Sequence, residues 1–192
     1  MSAVRVALIL NFKLVQMLSE RLKMQTKHLH ASVEKSSPLF LAMRGMLPAN
    51  VAITSFKETM QYLWCEVATN SIGFPGQPEI EQAFASIYGF DKSTSLHAIR
   101  NTSEYAWWGK AYVLLGSAMG SKILIGLMRD RGATDTSYFE HCSSLDKTFF
   151  LFKQTLDQRH FNASQEALIV KAACEAFTAL EKEWSTLKSI AS

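Results

Sequence analysis

Apolar residues recur every three to four positions through most of this chain, the spacing of helices with one buried face. The first such run covers about 13–35 and ends before Pro38; Leu18, Leu22, Leu29 and Val33 form its stripe. Ser55 and Glu58 in SFKE have the spacing of a capping box and predict a helix from there to about Asn70. IGFPGQP (72–78) reads as a loop, and EIEQAFASIYGF (79–90) as a short helix. After DKSTS (91–95) the periodicity resumes, and one long helix is predicted over about 103–130, before Gly132. Ser137 and Glu140 offer a second capping box, DKTFFLFKQTLD (146–157) another helix, and 164–189 the last. No stretch alternates as a strand does, and neither a repeat nor a low-complexity segment divides the chain. The expectation is an all-α, single-domain bundle of six to eight helices.

Composition narrows the functional classes. At 192 residues the length suits one domain with a sizeable core. A net charge of +3 without a dense Lys/Arg block gives no reason to expect nucleic acid. The longest apolar stretch, 111–128, carries Lys122 and falls short of the roughly 20 clean residues of a membrane span. A core helix is expected there, and no membrane association. Near the start, VALIL is too short for a signal peptide, so export is not expected. Cys65, Cys142 and Cys174 are widely spaced with no CxxC pair, which predicts reduced, mostly buried thiols in a cytoplasmic protein.

The stretch LKMQTKHLHASVE (22–34) holds two histidines that helical geometry separates. At about 100° per residue, Lys23, Thr26, Lys27 and Glu34 lie within about 60° of His30, at the border of the apolar stripe. His28 points about 160° away and reads as a solvated residue. For His30 two readings stand: a partly buried histidine bonded to Glu34, or a metal ligand whose second ring nitrogen is held by that carboxylate. Zinc needs three or four protein ligands, and no HxxxH or HxH partner shares the face. A metal needing one protein ligand fits better, with heme iron the prime example. Two lysines on the same face would suit heme's two propionates.

YVLLGSAMGSKIL (112–124) places Gly116 and Gly120 one turn apart inside a predicted helix, each costing roughly 1 kcal/mol relative to alanine. Either a neighbouring helix approaches closely on this small-residue face, or the helix kinks and lets its backbone pass over a flat ligand.

With these residues in view, the chain resembles the heme oxygenase family over about residues 20–188; residues 1–14 lie outside the resemblance. L-K-x-x-T-K-x-x-H-x-x-x-E looks like the family's proximal helix, with His30 at the iron-ligand position. By that resemblance Lys23 and Lys27 match the basic rim of the pocket, and Glu34 the acid behind the histidine. The glycine stretch is similar to the distal helix of bacterial biliverdin-producing members, Y-V-x-E-G-S-x-L-G-G. Tyr112, Val113, Gly116, Ser117 and Gly120 match; Leu115 replaces the acid and Ser121 the second glycine. The resemblance further implies Lys153, and more weakly Arg159, as propionate partners, and Phe177 as an aromatic of the pocket wall.

What the resemblance implies is a heme oxygenase-like bundle in which heme is both substrate and cofactor. Heme would be cleaved with O2 and electrons to biliverdin, Fe2+ and CO, with Gly116, Ser117 and Gly120 at the reacting side. Tyr112 and Ser121 would join the heme-binding residues. No flavin or nicotinamide fingerprint is present, so an external electron donor, a ferredoxin or flavoprotein reductase, is implied, and a bacteriophytochrome is a candidate acceptor of biliverdin. Two other classes stay open: a non-catalytic heme- or bilin-binding protein on the same fold, and a helical interaction module without a prosthetic group. A thiaminase-like enzyme would need an activated cysteine, and none has a visible activating setting.

Overall fold

The computed structural model describes residues 17–89 and 102–190, excepting the side chains of 187–190. The described residues form nine α-helices and no strand. The expected helical starts at 13–16 and the expected break at 91–95 lie outside the described residues.

Helix α1 (Leu18–Ser36) buries Leu18, Leu22 and Val33 of the expected stripe; Leu29 is half-buried, and Ser19 and Thr26 are buried beside them. A short helix α2 (Pro38–Met43) follows at once: Pro38 occupies its first turn and the Ser37 hydroxyl accepts from Phe40 N–H at 3.2 Å. Helix α3 (Ala49–Thr69) begins six residues before the expected capping box, directly after Pro48. Ser55 is inside it, and its carbonyl accepts from the Thr59 hydroxyl at 2.9 Å. The proline set that boundary, and the S-x-x-E pattern is an ordinary mid-helix coincidence.

Helix α4 (Gln77–Tyr88) starts within the predicted loop. Gln77 is buried and its amide donates to the Val67 and Ala68 carbonyls at 3.1 and 3.2 Å, closing the end of α3. The predicted 103–130 helix is two helices, α5 (Glu104–Ala118) and α6 (Ser121–Asp130), bent by 46° at Met119–Gly120. The second capping box does not form: α7 (Ser137–Ser143) follows Thr136, which makes no side-chain cap and donates its hydroxyl to the Glu140 carboxylate at 2.8 Å. Helices α8 (Asp146–Gln158) and α9 (Ala163–Ile190) lie where the periodicity put them.

Helix α5 is the axis of the bundle. Trp107, Trp108, Ala111, Val113, Leu114, Leu115 and Ala118 are all buried, so it is covered on nearly every side. Helix α9 packs most extensively against α5 and α1, which sets the two helices carrying the candidate motifs on one scaffold. Gly109 makes that packing possible: a Cβ there would lie 2.3 Å from the Ile169 carbonyl oxygen and 2.7 Å from Ala173 N. No single described helix is long and apolar enough to cross a membrane; the bent α5–α6 pair passes that test on length and composition, with α5 mostly buried in the bundle.

Candidate functional site

Tyr112 gathers the site. It stands on α5 one turn before Gly116, and its phenol is in hydrogen-bond contact with the Thr26 hydroxyl of α1, one turn before His30. Thr26 is buried and donates in turn to the Leu22 carbonyl at 2.8 Å. Burial holds the Tyr112 phenol above its ordinary pKa. Its ring lies 6.0 Å from Phe149 of α8, and Lys153, one turn further on α8, sets its ammonium 5.1 Å from the centre of the Phe149 ring. Three helices thus meet at one tyrosine.

The fourth helix reaches the site through Phe177. This buried ring of α9 meets the His30 ring edge-on at 5.7 Å. The His30 side chain is 54% exposed, more open than its border position on the helix implied. Its Nδ1 lies 3.5 Å from the Glu34 carboxylate, so the expected pairing is present and the other ring nitrogen is left to a ligand. His28 is exposed, as its angle predicts. Lys23 is exposed beside Glu20, 3.9 Å from its carboxylate, and Lys27 is exposed on the same helix. Among the described residues no group of three or more His, Cys, Asp or Glu side chains converges. A metal at His30 would therefore have fewer than three such protein ligands among the described residues.

The glycines decide between the two readings of the α5–α6 corner. A Cβ on Gly116 would find only the Phe149 ring, at 3.8 Å, and one on Gly120 only Leu124, at 3.9 Å. These are ordinary contacts, and no helix is seated on either glycine. Close helix packing accounts for Gly109 and not for this pair. The helix bends by 46° at Met119–Gly120, a kink at the second of the two glycines. Beyond it, Ile123 and Leu127 continue an apolar face, Ile123 being 69% exposed.

Other expectations need correction. Ser121 is 1% exposed, and its hydroxyl donates to the Cys142 thiol of α7. It faces the α6–α7 contact and not the open glycine face, because it lies 100° round the helix from Gly120. Ser117 is half-buried and donates to the Leu114 carbonyl of its own helix at 2.7 Å. Leu115, standing where the resembled family carries an acid, is fully buried in the core. Arg159 is committed elsewhere: it pairs with Glu104 and lies 5.1 Å from the centre of the Trp108 ring. Asp157, which the periodicity did not single out, receives both the backbone N–H and the hydroxyl of Ser19, at 2.8 and 2.7 Å. The thiols are free as expected, Cys65 and Cys142 buried and Cys174 half-buried; burial pushes the Cys142 thiol up to about 12.

The arrangement suits heme on its own terms. It offers an exposed imidazole beside a carboxylate, a bent helix whose two glycines carry no neighbouring helix, apolar side chains next to them, and lysines on two helices. No protein-family model and no curated protein matches the chain. Among solved structures it is similar to heme oxygenase-1 from the cyanobacterium Synechocystis sp. PCC6803, a crystal structure in complex with heme. The likeness covers 92% of this chain and 94% of that one, with a TM-score of 0.60 and 16% identity. The shared property at that identity is the all-α heme oxygenase fold.

Proposed function

We propose that this chain binds heme between α1 and the α5–α6 corner and degrades it as a heme oxygenase. The observation that carries the reading is that no neighbouring helix is seated on Gly116 or Gly120, at the bend of a helix that Tyr112 ties to the helix of His30. The fold shared with a heme-bound heme oxygenase supports it.

In this reading His30 presents its imidazole to the iron while Glu34 fixes the ring. Phe177 packs on the ring edge and limits its rotation. Lys23, Lys27 and Lys153 hold the propionates; Lys153 leaves the Phe149 face to do so, exchanging a cation–π contact for a charge-assisted bond. Gly116 and Gly120 keep side chains away from the reacting side. The Ser117 hydroxyl donates to Leu114 and so meets an incoming water as an acceptor, holding it for proton delivery. Bound heme supplies the iron that takes up O2 and electrons and the macrocycle that becomes biliverdin. Electrons come from an external ferredoxin or flavoprotein reductase, drawn to the lysines at the rim.

Titration with ferric heme tests the binding half. His30→Ala is expected to abolish the histidine-ligated spectrum and His28→Ala to leave it unchanged; loss of the ligand in the His28 variant would overturn the assignment. Biliverdin formation with ascorbate or a reductase tests the catalytic half. One observation favours a second reading, a heme- or bilin-binding protein without turnover: Leu115 is buried where the resembled motif has an acid, and Ser117 is tied to its own helix. Stoichiometric, stable heme binding with no biliverdin under reducing turnover would establish that alternative.

A further inference from the structure

The helix that carries His30 has no cap of its own. Met17 stands at the N-cap position of α1 and supplies no side-chain hydrogen bond. The first-turn donors of a helix need partners, and here one comes from 138 residues away. The Asp157 carboxylate accepts the Ser19 N–H at 2.8 Å with one oxygen and the Ser19 hydroxyl at 2.7 Å with the other. Ser19 is buried and Asp157 half-buried, so the bond is partly shielded from water. Negative charge at a helix N-terminus is also favoured by the helix dipole. Two further carboxylates fasten the same helix to α9: Glu166 pairs with Arg21, and Glu181 accepts from the Ser32 hydroxyl.

Asp157 ends a row on α8. Phe149, Lys153 and Asp157 are spaced four apart and share one face. Phe149 is the side chain nearest the Gly116 space, and Lys153 sits over its ring. The turn of α8 that caps α1 is therefore the turn that follows the lysine assigned to an anionic group. Sliding or loosening α8 would move both together.

We propose that Asp157 is a positioning residue: by capping α1 from outside, it holds the helix that presents His30 in register with the turn of α8 that presents Lys153. This rests on the heme reading given above. Through this link, an anionic group drawn to Lys153 and a metal drawn to His30 bind cooperatively, because each orders the element that the Asp157–Ser19 bond shares with the other.

The test uses the full chain and its Asp157→Asn, Asp157→Glu, Ser19→Ala and Lys153→Ala variants. The first arm needs no heme. Amide hydrogen exchange at Ser19 and the rest of the first turn of α1 is expected to quicken about threefold in Asp157→Asn, whose amide keeps one acceptor for the Ser19 N–H but loses the second acceptor and the negative charge at the helix N-terminus. Ser19→Ala, which leaves Asp157 in place and removes one bond, is the milder variant should Asp157→Asn fold poorly. Unchanged exchange in both variants overturns the proposal. In the second arm ferric heme is titrated into wild type, Asp157→Asn, Lys153→Ala and the double variant. Cooperativity predicts that the fold-loss caused by Lys153→Ala shrinks at least threefold in the Asp157→Asn background. The histidine-ligated spectrum of Asp157→Asn is expected to broaden towards a mixture, and Asp157→Glu to restore part of it. Independent losses in the double variant, with an unaltered ligand spectrum, overturn the proposal. Wild-type chain that takes up no heme through His30 overturns the underlying reading and the proposal with it, and is told apart from failure of the cap by the exchange arm.

Discussion

The two halves of α5 use glycine for opposite purposes. At Gly109 a Cβ would collide with the backbone of α9, 2.3 Å from one oxygen. Around it, Trp107 donates to the Val67 carbonyl at 3.0 Å, and the Lys110 ammonium pairs with the mostly buried Glu66, whose other oxygen accepts from Tyr62 at 2.8 Å. The half is locked to α3 and α9. Two turns later, Gly116 and Gly120 face space that nothing else in the bundle enters closer than 3.8 Å. A small residue inside a helix therefore says nothing of its purpose until its neighbours are known. At Gly109 its size serves packing, and at the corner no neighbouring helix requires it.

That contrast is open to direct attack, ordered here by the change in stability expected. Gly109→Ala should be the most damaging, at about 3 kcal/mol, since the added methyl meets backbone that cannot rotate away. For a chain of this size that is a fall in Tm of roughly 6–12 °C in thermal unfolding. A variant melting within about 1 °C of wild type would break the comparison, because α5 and α9 would then have slack between them.

Ser121→Gly comes next and locates the edge of the open face. It restores the second glycine of the resembled motif, yet it removes the hydroxyl that bonds Cys142. A loss of about 1–2 kcal/mol is expected, from the bond and the added backbone freedom, with heme affinity unchanged. Tighter heme binding in this variant would extend the open face to residue 121 and undo its assignment to the α6–α7 contact.

The smallest change in stability belongs to the corner glycines, and there the functional effect is the sharpest. Gly116→Ala and Gly120→Leu should fold within about 1 kcal/mol of wild type, on either side, because both positions have helical backbone and open space. Gly120→Leu should retain much of the heme affinity and lose biliverdin formation. Early melting with biliverdin still formed per bound heme would return Gly120 to a packing role and erase the difference between the halves.

Much of this was open to reading in the chain itself, because helix periodicity and turn chemistry are local. The stripe of α1, the lysines and glutamate around His30, and the solvated position of His28 follow from 3.6 residues per turn and need no neighbour. The glycine pair left two readings open, a packing face or a kink, and the break of the expected 103–130 helix at Met119–Gly120 was not legible from periodicity, which runs on through both halves. Where the local signals failed, a stronger one stood nearby. Pro48 overrode the capping box at Ser55, and at Ser137 the Asp135 carboxylate accepts the backbone N–H where a Ser137 cap was expected.

Other properties belong to no segment of the chain. Ser121 and Gly120 are adjacent in sequence, and only the seating of α7 on α6 separates a buried hydroxyl from an open face. Leu115 becomes a core residue because α5 is enclosed on nearly every side. Arg159 is drawn to Glu104, and Asp157 to a helix that begins 138 residues earlier. Burial, the choice of ion-pair partner and the emptiness beside a glycine are sums over everything that packs nearby, and those sums exist only once the chain has folded.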